Sequence, residues 1–162
     1  MYNMNQSMQV AKQATRDIEG WLSGLPETVR IENVEDNREY QRVDVDLIWI
    51  TKTGSYQVEI KGDRYHKTGN FFWETHSNKE RNTPGCFLYT KADWVFYYFV
   101  TPRVLYQLPM PATRDWFLEN INRFRERSTT TNVGNSYYTT VGRLVPINVV
   151  ISEVPQIIKH QL

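Results

Sequence analysis

The chain has 162 residues, 40% of them hydrophobic and 23% charged, with a formal net charge of +1. That length suits one domain over residues 1–162 with a substantial core, and leaves no room for a catalytic domain plus a separate binding domain. The near-zero net charge excludes the global electrostatic pull of a strongly basic nucleic-acid binder, so any nucleic-acid surface must be a local patch.

In chain order, Ala11, Ala14, Ile18, Leu22 and Leu25 recur at helical spacing, which predicts an amphipathic helix over 10–25 stopped by Gly24-Leu25-Pro26. Strands are expected over Thr28–Asn33, Val43–Ile50 and Tyr56–Lys61, the last two joined by the hairpin turn Thr51-Lys52-Thr53-Gly54-Ser55. Residues 62–85 read as a loop-rich excursion, with the apolar island Phe71-Phe72-Trp73-Glu74 as a short strand at most. The unbroken run Trp94–Val100 predicts a strand buried on both faces, its Phe96, Tyr97, Tyr98 and Phe99 belonging to the core, and Arg103–Gln107 predicts a partner strand. A second helix is expected over 111–126 from Phe117, Ile121 and Phe124, then a mobile loop over Ser128–Asn135 and a last strand over Val141–Pro146. The tail from Ile147 is open between strand and short helix.

Cys86 is the one cysteine. It excludes an internal disulfide and a cysteine-based zinc site, and fits a reducing, cytoplasmic setting. The start of the chain, Met1 to Met8, lacks the basic and apolar runs of a secretory signal, and no segment reaches the about 18 apolar residues of a membrane span. A soluble protein without a membrane partner is expected.

The chemistry concentrates on the central pair of strands. Period-2 alternation puts Asp44 and Asp46 on one face of the first and Glu59 and Lys61 on one face of the second, and the hairpin brings the two groups together. Phosphodiester hydrolysis needs an in-line water and neutralised charge, which carboxylate-held Mg²⁺ supplies. Asp46 and Glu59 are the natural ligands and the carbonyl of Ile60 a third, while Lys61 is placed to position the water or stabilise the phosphorus centre.

Asp46-Leu47-Ile48-Trp49 followed by Val58-Glu59-Ile60-Lys61, with Glu59 thirteen positions after Asp46 and a helix and strand before them, resembles the PD-(D/E)XK nuclease superfamily, the restriction-endonuclease-like fold. The spacing is also similar to that of archaeal Holliday-junction resolvases. The resemblance implies an α/β domain with a central mixed sheet flanked by helices on an αβββαβ core, Mg²⁺-dependent cleavage of DNA with Mn²⁺ as a substitute, and frequent homodimers. By that resemblance Asp46, Glu59 and Lys61 take the motif positions, Asp44 becomes a neighbour, and Val45 stands where the motif carries Pro. The stretch Lys61-Gly62-Asp63-Arg64-Tyr65, Thr68-Gly69-Asn70-Phe71-Phe72-Trp73-Glu74 and Thr90-Lys91-Ala92-Asp93-Trp94 looks like phage and bacterial nuclease-like proteins of the same superfamily, which implies an intracellular setting such as a phage-infected cell.

Around this centre, Glu74 is a further acid, and Glu19, ahead of Asp17, is the helix residue where related nucleases place one. Arg64, Lys67, Lys79 and Arg81 are candidates to hold a phosphate backbone, with Tyr65 to stack on an unpaired base; an ordinary solvated loop explains them equally well. His66, His76 and His160 read as surface residues. Two other functions fit the composition: a nuclease-like fold that binds nucleic acid or protein without cutting, and an assembly protein using its aromatic surface, for the aromatic share is 14%.

Overall fold

The stripe of Ala14, Ile18 and Leu22, each wholly buried, forms a helix that starts earlier than its apolar spacing indicates. Helix α1 runs Met4–Ser23 in the computed structural model, which describes residues 4–162; the part of the Met1 to Met8 reading that falls on residues 1–3 lies outside the described residues. The helix stops as Gly24 and Leu25 close short turns on the carbonyls of Trp21 and Leu22, and Pro26 cannot extend it.

There follow β1 (Thr28–Asn33), α2 (Arg38–Gln41), β2 (Leu47–Thr51), β3 (Ser55–Asp63), β4 (Asn70–Asn78), β5 (Thr83–Pro84) and α3 (Cys86–Tyr89). The second half holds β6 (Trp94–Phe99), β7 (Val104–Pro109), α4 (Ala112–Asn120), β8 (Arg125–Val133), β9 (Ser136–Pro146), α5 (Ile147–Glu153) and β10 (Ile158–Gln161). A mixed six-stranded sheet has the order β1-β2-β3-β6-β7-β10, and a four-stranded sheet the order β5-β4-β9-β8. The first is antiparallel except where β3 runs parallel to β6, with Glu59 beside Val95 and Lys61 beside Tyr97.

Alternation divides the large sheet into two faces. Val58, Ile60, Phe96, Tyr98 and Leu105 pack against α1. Gly62 permits that approach, because a Cβ there would lie 2.9 Å from the Cβ of Ala14. The opposite residues, Val95, Tyr97, Phe99, Tyr106 and Leu108, pack against Phe71 and Trp73 of β4, Phe87 of α3, Phe117 of α4, Val145 of β9 and Val150 of α5. Trp73 stacks on Phe87 with centroids 4.3 Å apart, and Phe71 meets Tyr97 edge-on at 4.8 Å, contacts each adding about 0.5–1.5 kcal/mol beyond area burial.

Helix α1, the three-strand meander and the doubly buried β6 agree with the sequence-based expectation. Four features differ. The excursion after Lys61 carries the nine-residue β4, whose buried Phe71 and Trp73 alternate with half-buried Phe72 and Glu74. The second helix ends at Asn120 and gives way through a 3₁₀ turn at Ile121–Arg123 to β8; Phe124 is buried, but in extended conformation. The expected mobile loop at 128–135 is mostly β8, paired residue by residue with β9. β2 begins at Leu47, so Asp44 lies in a turn with φ 55° rather than on a strand face. Among the described residues no helix is long and apolar enough to cross a membrane.

Candidate metal centre

The turn before β2 is fixed from both sides. Asp44 takes the left-handed conformation that Asp tolerates better than most residues. Its carbonyl accepts the Thr90 hydroxyl at 2.7 Å, and the Val43 carbonyl accepts the Lys91 amide at 2.8 Å. The Asp44 side chain is thereby turned toward Cys86, a ligand oxygen of Asp44 and the Cys86 Sγ lying within 4.8 Å of each other.

Asp46 is held by three hydrogen bonds. Its amide donates to the Val58 carbonyl at 2.9 Å, its carbonyl accepts the Val34 amide at 2.8 Å, and its Oδ2 accepts the Ile60 amide at 2.8 Å. Because Leu47 pairs with Val58, Asp46 sits across from Glu59. Glu59 is only 6% exposed, with Cys86 of α3 within 4.8 Å, and its Oε2 has no hydrogen-bond partner. Two residues on, Lys61 Nζ pairs with Glu74 Oε1 at 2.5 Å, so the apolar island delivers an acid to the same place.

Ligand atoms of Asp44, Glu59 and Cys86 all lie within 4.8 Å of one another. The carboxyl pKa values record the crowding. Burial, then the Asp46 charge, pushes Asp44 up to about 6. Burial also raises Asp46, opposed by the Ile60 amide, and lifts Glu59 well above the usual carboxylate range, with the charges of Asp46 and Asp44 adding to it. The Cys86 thiol is raised by burial and by Glu59. Lys61 opposes the rise at Asp44, Glu59 and Cys86.

Two buried carboxylate oxygens without partners, Glu59 Oε2 and Asp44 Oδ2, are what a hard cation would satisfy, and the oxygens of Asp46 and Glu59 have the chemistry Mg²⁺ or Mn²⁺ prefers. A narrow cleft beside them is lined by Lys61, Glu74 and Cys86 among others. The larger surface hollow, about 450 Å³, is lined by Arg123, Arg125 and neighbours and shares no lining residue with that cleft.

No family model, characterised protein or solved structure matches the chain.

The remaining predicted residues divide by position. Glu19 accepts from Asn33 Nδ2 at 3.0 Å, and the same amide reaches Glu35 at 3.5 Å; the Glu35 charge acts on Asp46. Glu19 thus stands at the rim, behind Asn33. Asp17 is turned elsewhere, accepting the Tyr98 hydroxyl at 2.6 Å and pairing with Arg103 at 3.1 Å. Arg64 lies over the Tyr65 ring at 5.0 Å and donates to Gln6 at 3.0 Å. Arg64, Tyr65 and Lys67 precede β4 while Lys79 and Arg81 follow it, so the two basic groups are separated by the strand's nine residues, roughly 25–30 Å. None of the three histidines is fully exposed, and His160 packs on Trp21 with centroids 4.6 Å apart while bonding Gln107 at 2.9 Å.

Cys86 was absent from the expected site. A count of cysteines excludes sites with several thiolates, but it does not address one thiol brought between two acids by the fold. No local signal marks it.

Asp44→Asn keeps the left-handed turn and removes the charge. A carboxyl raised to about 6 from 3.8 stabilises the fold fully below its ordinary pKa, and that contribution is lost as pH rises through the folded value. The variant is therefore expected to match the wild type at pH 4 and exceed it at pH 8 in metal-free buffer, by about 1–3 kcal/mol in urea unfolding. An unchanged difference across that range would remove Asp44 from the crowded set.

Proposed function

We propose that the protein is a metal-dependent nuclease of the PD-(D/E)XK type that hydrolyses phosphodiester bonds in DNA with Mg²⁺, Mn²⁺ substituting. The observation that carries this is the joint placement of Asp46, Glu59 and Lys61. Asp46 is pinned to the Ile60 amide at 2.8 Å, directly across from a buried Glu59 with an unsatisfied oxygen, and Lys61 lies on the same face of β3. The order α1, β1, β2, β3, α3 and a parallel β6 supports an αβββαβ core. It departs from that core in three ways: the short α2 stands between β1 and β2, α3 has four residues, and β4 and β5 are inserted before it.

Bound Mg²⁺ supplies Lewis-acid stabilisation of a phosphoryl oxygen and lowers the pKa of a coordinated water. Asp46 and Glu59 would hold it, with the Ile60 carbonyl as a third donor. Lys61 orients the attacking water and offsets negative charge growing on the phosphate, in a site whose burial strengthens that interaction. Glu74 fixes the Lys61 side chain through their ion pair. The basic groups at either end of β4 bracket Glu74 and, being a strand's length apart, suit contacts to phosphates well separated along a bound duplex.

A second reading draws on the same ion pair: with its ammonium engaged by Glu74 and Glu59 under cover, the centre suits a module that binds DNA without cutting. Incubation with linear, circular, branched and single-stranded DNA plus Mg²⁺ or Mn²⁺ separates the two. Cleavage is expected, and Lys61→Met should reduce it by about 10²- to 10⁴-fold. Equal cleavage by wild type and Lys61→Met would sink the assignment to this centre, and DNA retention without cleavage would favour the silent module.

A further inference from the structure

We propose that Asp44, Glu59 and Cys86 form a cation position of their own, taking a thiophilic divalent ion such as Zn²⁺ or Co²⁺ through two carboxylate oxygens and one thiolate. Three side chains from separate elements converge there: Asp44 from the turn before β2, Glu59 from β3 and Cys86 from the start of α3. Their ligand atoms all lie within 4.8 Å of one another. A tetrahedral ion bound at 2.0–2.3 Å holds its ligand atoms roughly 3.5 Å apart, so loading needs each ligand pair to close by up to about 1.3 Å, within side-chain reach.

A buried free cysteine ordinarily behaves as a small apolar residue. Cys86, half-buried, is placed otherwise: its Sγ lies within 4.8 Å of carboxylate oxygens of both Asp44 and Glu59. Independently, Glu59 is only 6% exposed and its Oε2 lacks a partner, as does Asp44 Oδ2. Buried polar atoms left in this state call for a cation or a proton. Lys61 is near but commits its ammonium to Glu74 at 2.5 Å.

The donor set determines the metal class. Two hard oxygens alone suit Mg²⁺ or Mn²⁺, whereas a thiolate shifts preference toward Zn²⁺ or Co²⁺. On loading, the Cys86 S–H bond breaks, an Sγ–metal bond forms, and the proton leaves to water; no oxidant or reductant is involved. A fourth ligand position remains for solvent. The position shares Glu59 with the proposed cleavage centre but stands on Asp44 and Cys86, and it does not require that the protein cut DNA.

Co²⁺ titration of the whole protein in thiol-free buffer tests it. A near-ultraviolet thiolate-to-cobalt charge-transfer band is expected to saturate at one ion per chain. Cys86→Ser should lose that band, and Zn²⁺ competition should show affinity weakened at least about 10- to 100-fold in Cys86→Ser and in Asp44→Asn. Lys61→Met should keep the band. X-ray absorption of the Zn²⁺-loaded wild type needs no variant, and should show one sulfur neighbour at about 2.3 Å. A first shell of oxygen and nitrogen only, or the same cobalt band in a folded Cys86→Ser, would overturn the proposal. A cobalt band without cleavage would defeat the nuclease reading and leave this one standing; cleavage without the band would do the reverse.

Discussion

Glu59→Gln is expected to slow Mg²⁺-dependent cleavage sharply while making the metal-free fold more stable, increasingly so as pH rises. Loss of a ligand that holds the charge-stabilising ion forfeits several kcal/mol in the transition state, roughly 10²- to 10³-fold in rate at about 1.4 kcal/mol per tenfold. The stability effect has the opposite sign. Burial and two neighbouring acids hold the Glu59 carboxyl well above its ordinary 4.5, so its stabilising contribution is complete below that value and disappears as pH climbs through the folded pKa. Glutamine keeps the shape and never ionises. Urea unfolding at pH 5 and pH 9 should show the variant pulling ahead, by about 1–3 kcal/mol at the higher pH. A pH-independent gap would mean that Glu59 is not electrostatically burdened.

Gly85→Ala should be the most damaging small substitution near the centre. A Cβ on Gly85 would lie 2.1 Å from the Glu74 carbonyl oxygen and 2.7 Å from the Glu74 Cβ. The backbone at Gly85, φ −70° and ψ 151°, suits any residue, so the objection is close approach alone. Relief requires β4 to part from α3, breaking the Gly85 amide to Thr75 carbonyl bond of 3.0 Å and moving Glu74 and Cys86 together. Overpacking of this kind costs about 1–3 kcal/mol or more. At roughly 2–4 °C per kcal/mol for a chain of this size, melting should fall by several degrees. Cleavage should fall with it, since Lys61 loses its fixed partner. A variant that melts and cleaves like the wild type would show that β4 and α3 are not in the contact described.

The parts legible in the sequence share a physical cause. Asp46 immediately precedes β2 while Glu59 and Lys61 stand on β3, the next strand across a short turn, and period-2 alternation is enough to place Glu59 and Lys61 on one face. The run from Val95 to Phe99 is covered on both sides, so unbroken apolarity marks its strand directly. β8 gave no such signal: Ser128 and Thr130 are exposed and Thr131 alone of its first seven residues is buried, so neither face is apolar enough to write a pattern. The spacing of Phe117, Ile121 and Phe124 continues past the helix end because Phe124 reaches the same core from an extended segment. Asp44 departs from strand alternation through a positive φ that a non-glycine residue does not advertise. Glu74, named from its place at the end of the apolar island, reaches Lys61 from β4, whereas Cys86 joins the centre only through α3, and long-range packing of that kind leaves no trace in local spacing.

The segment inserted between β3 and β6 brings Cys86 within 4.8 Å of Glu59 and Glu74 onto Lys61. Opening that segment alone would return water to the acids and relieve their mutual repulsion, so the metal-free charges favour the partly opened form as pH rises. An ion that binds only the closed arrangement favours closure by RT ln(1 + [ion]/Kd). The local opening equilibrium of β4 and α3 is in this way tied to the supply of divalent cation, and the insertion that makes the centre dry also makes its own closure sensitive to what the centre holds.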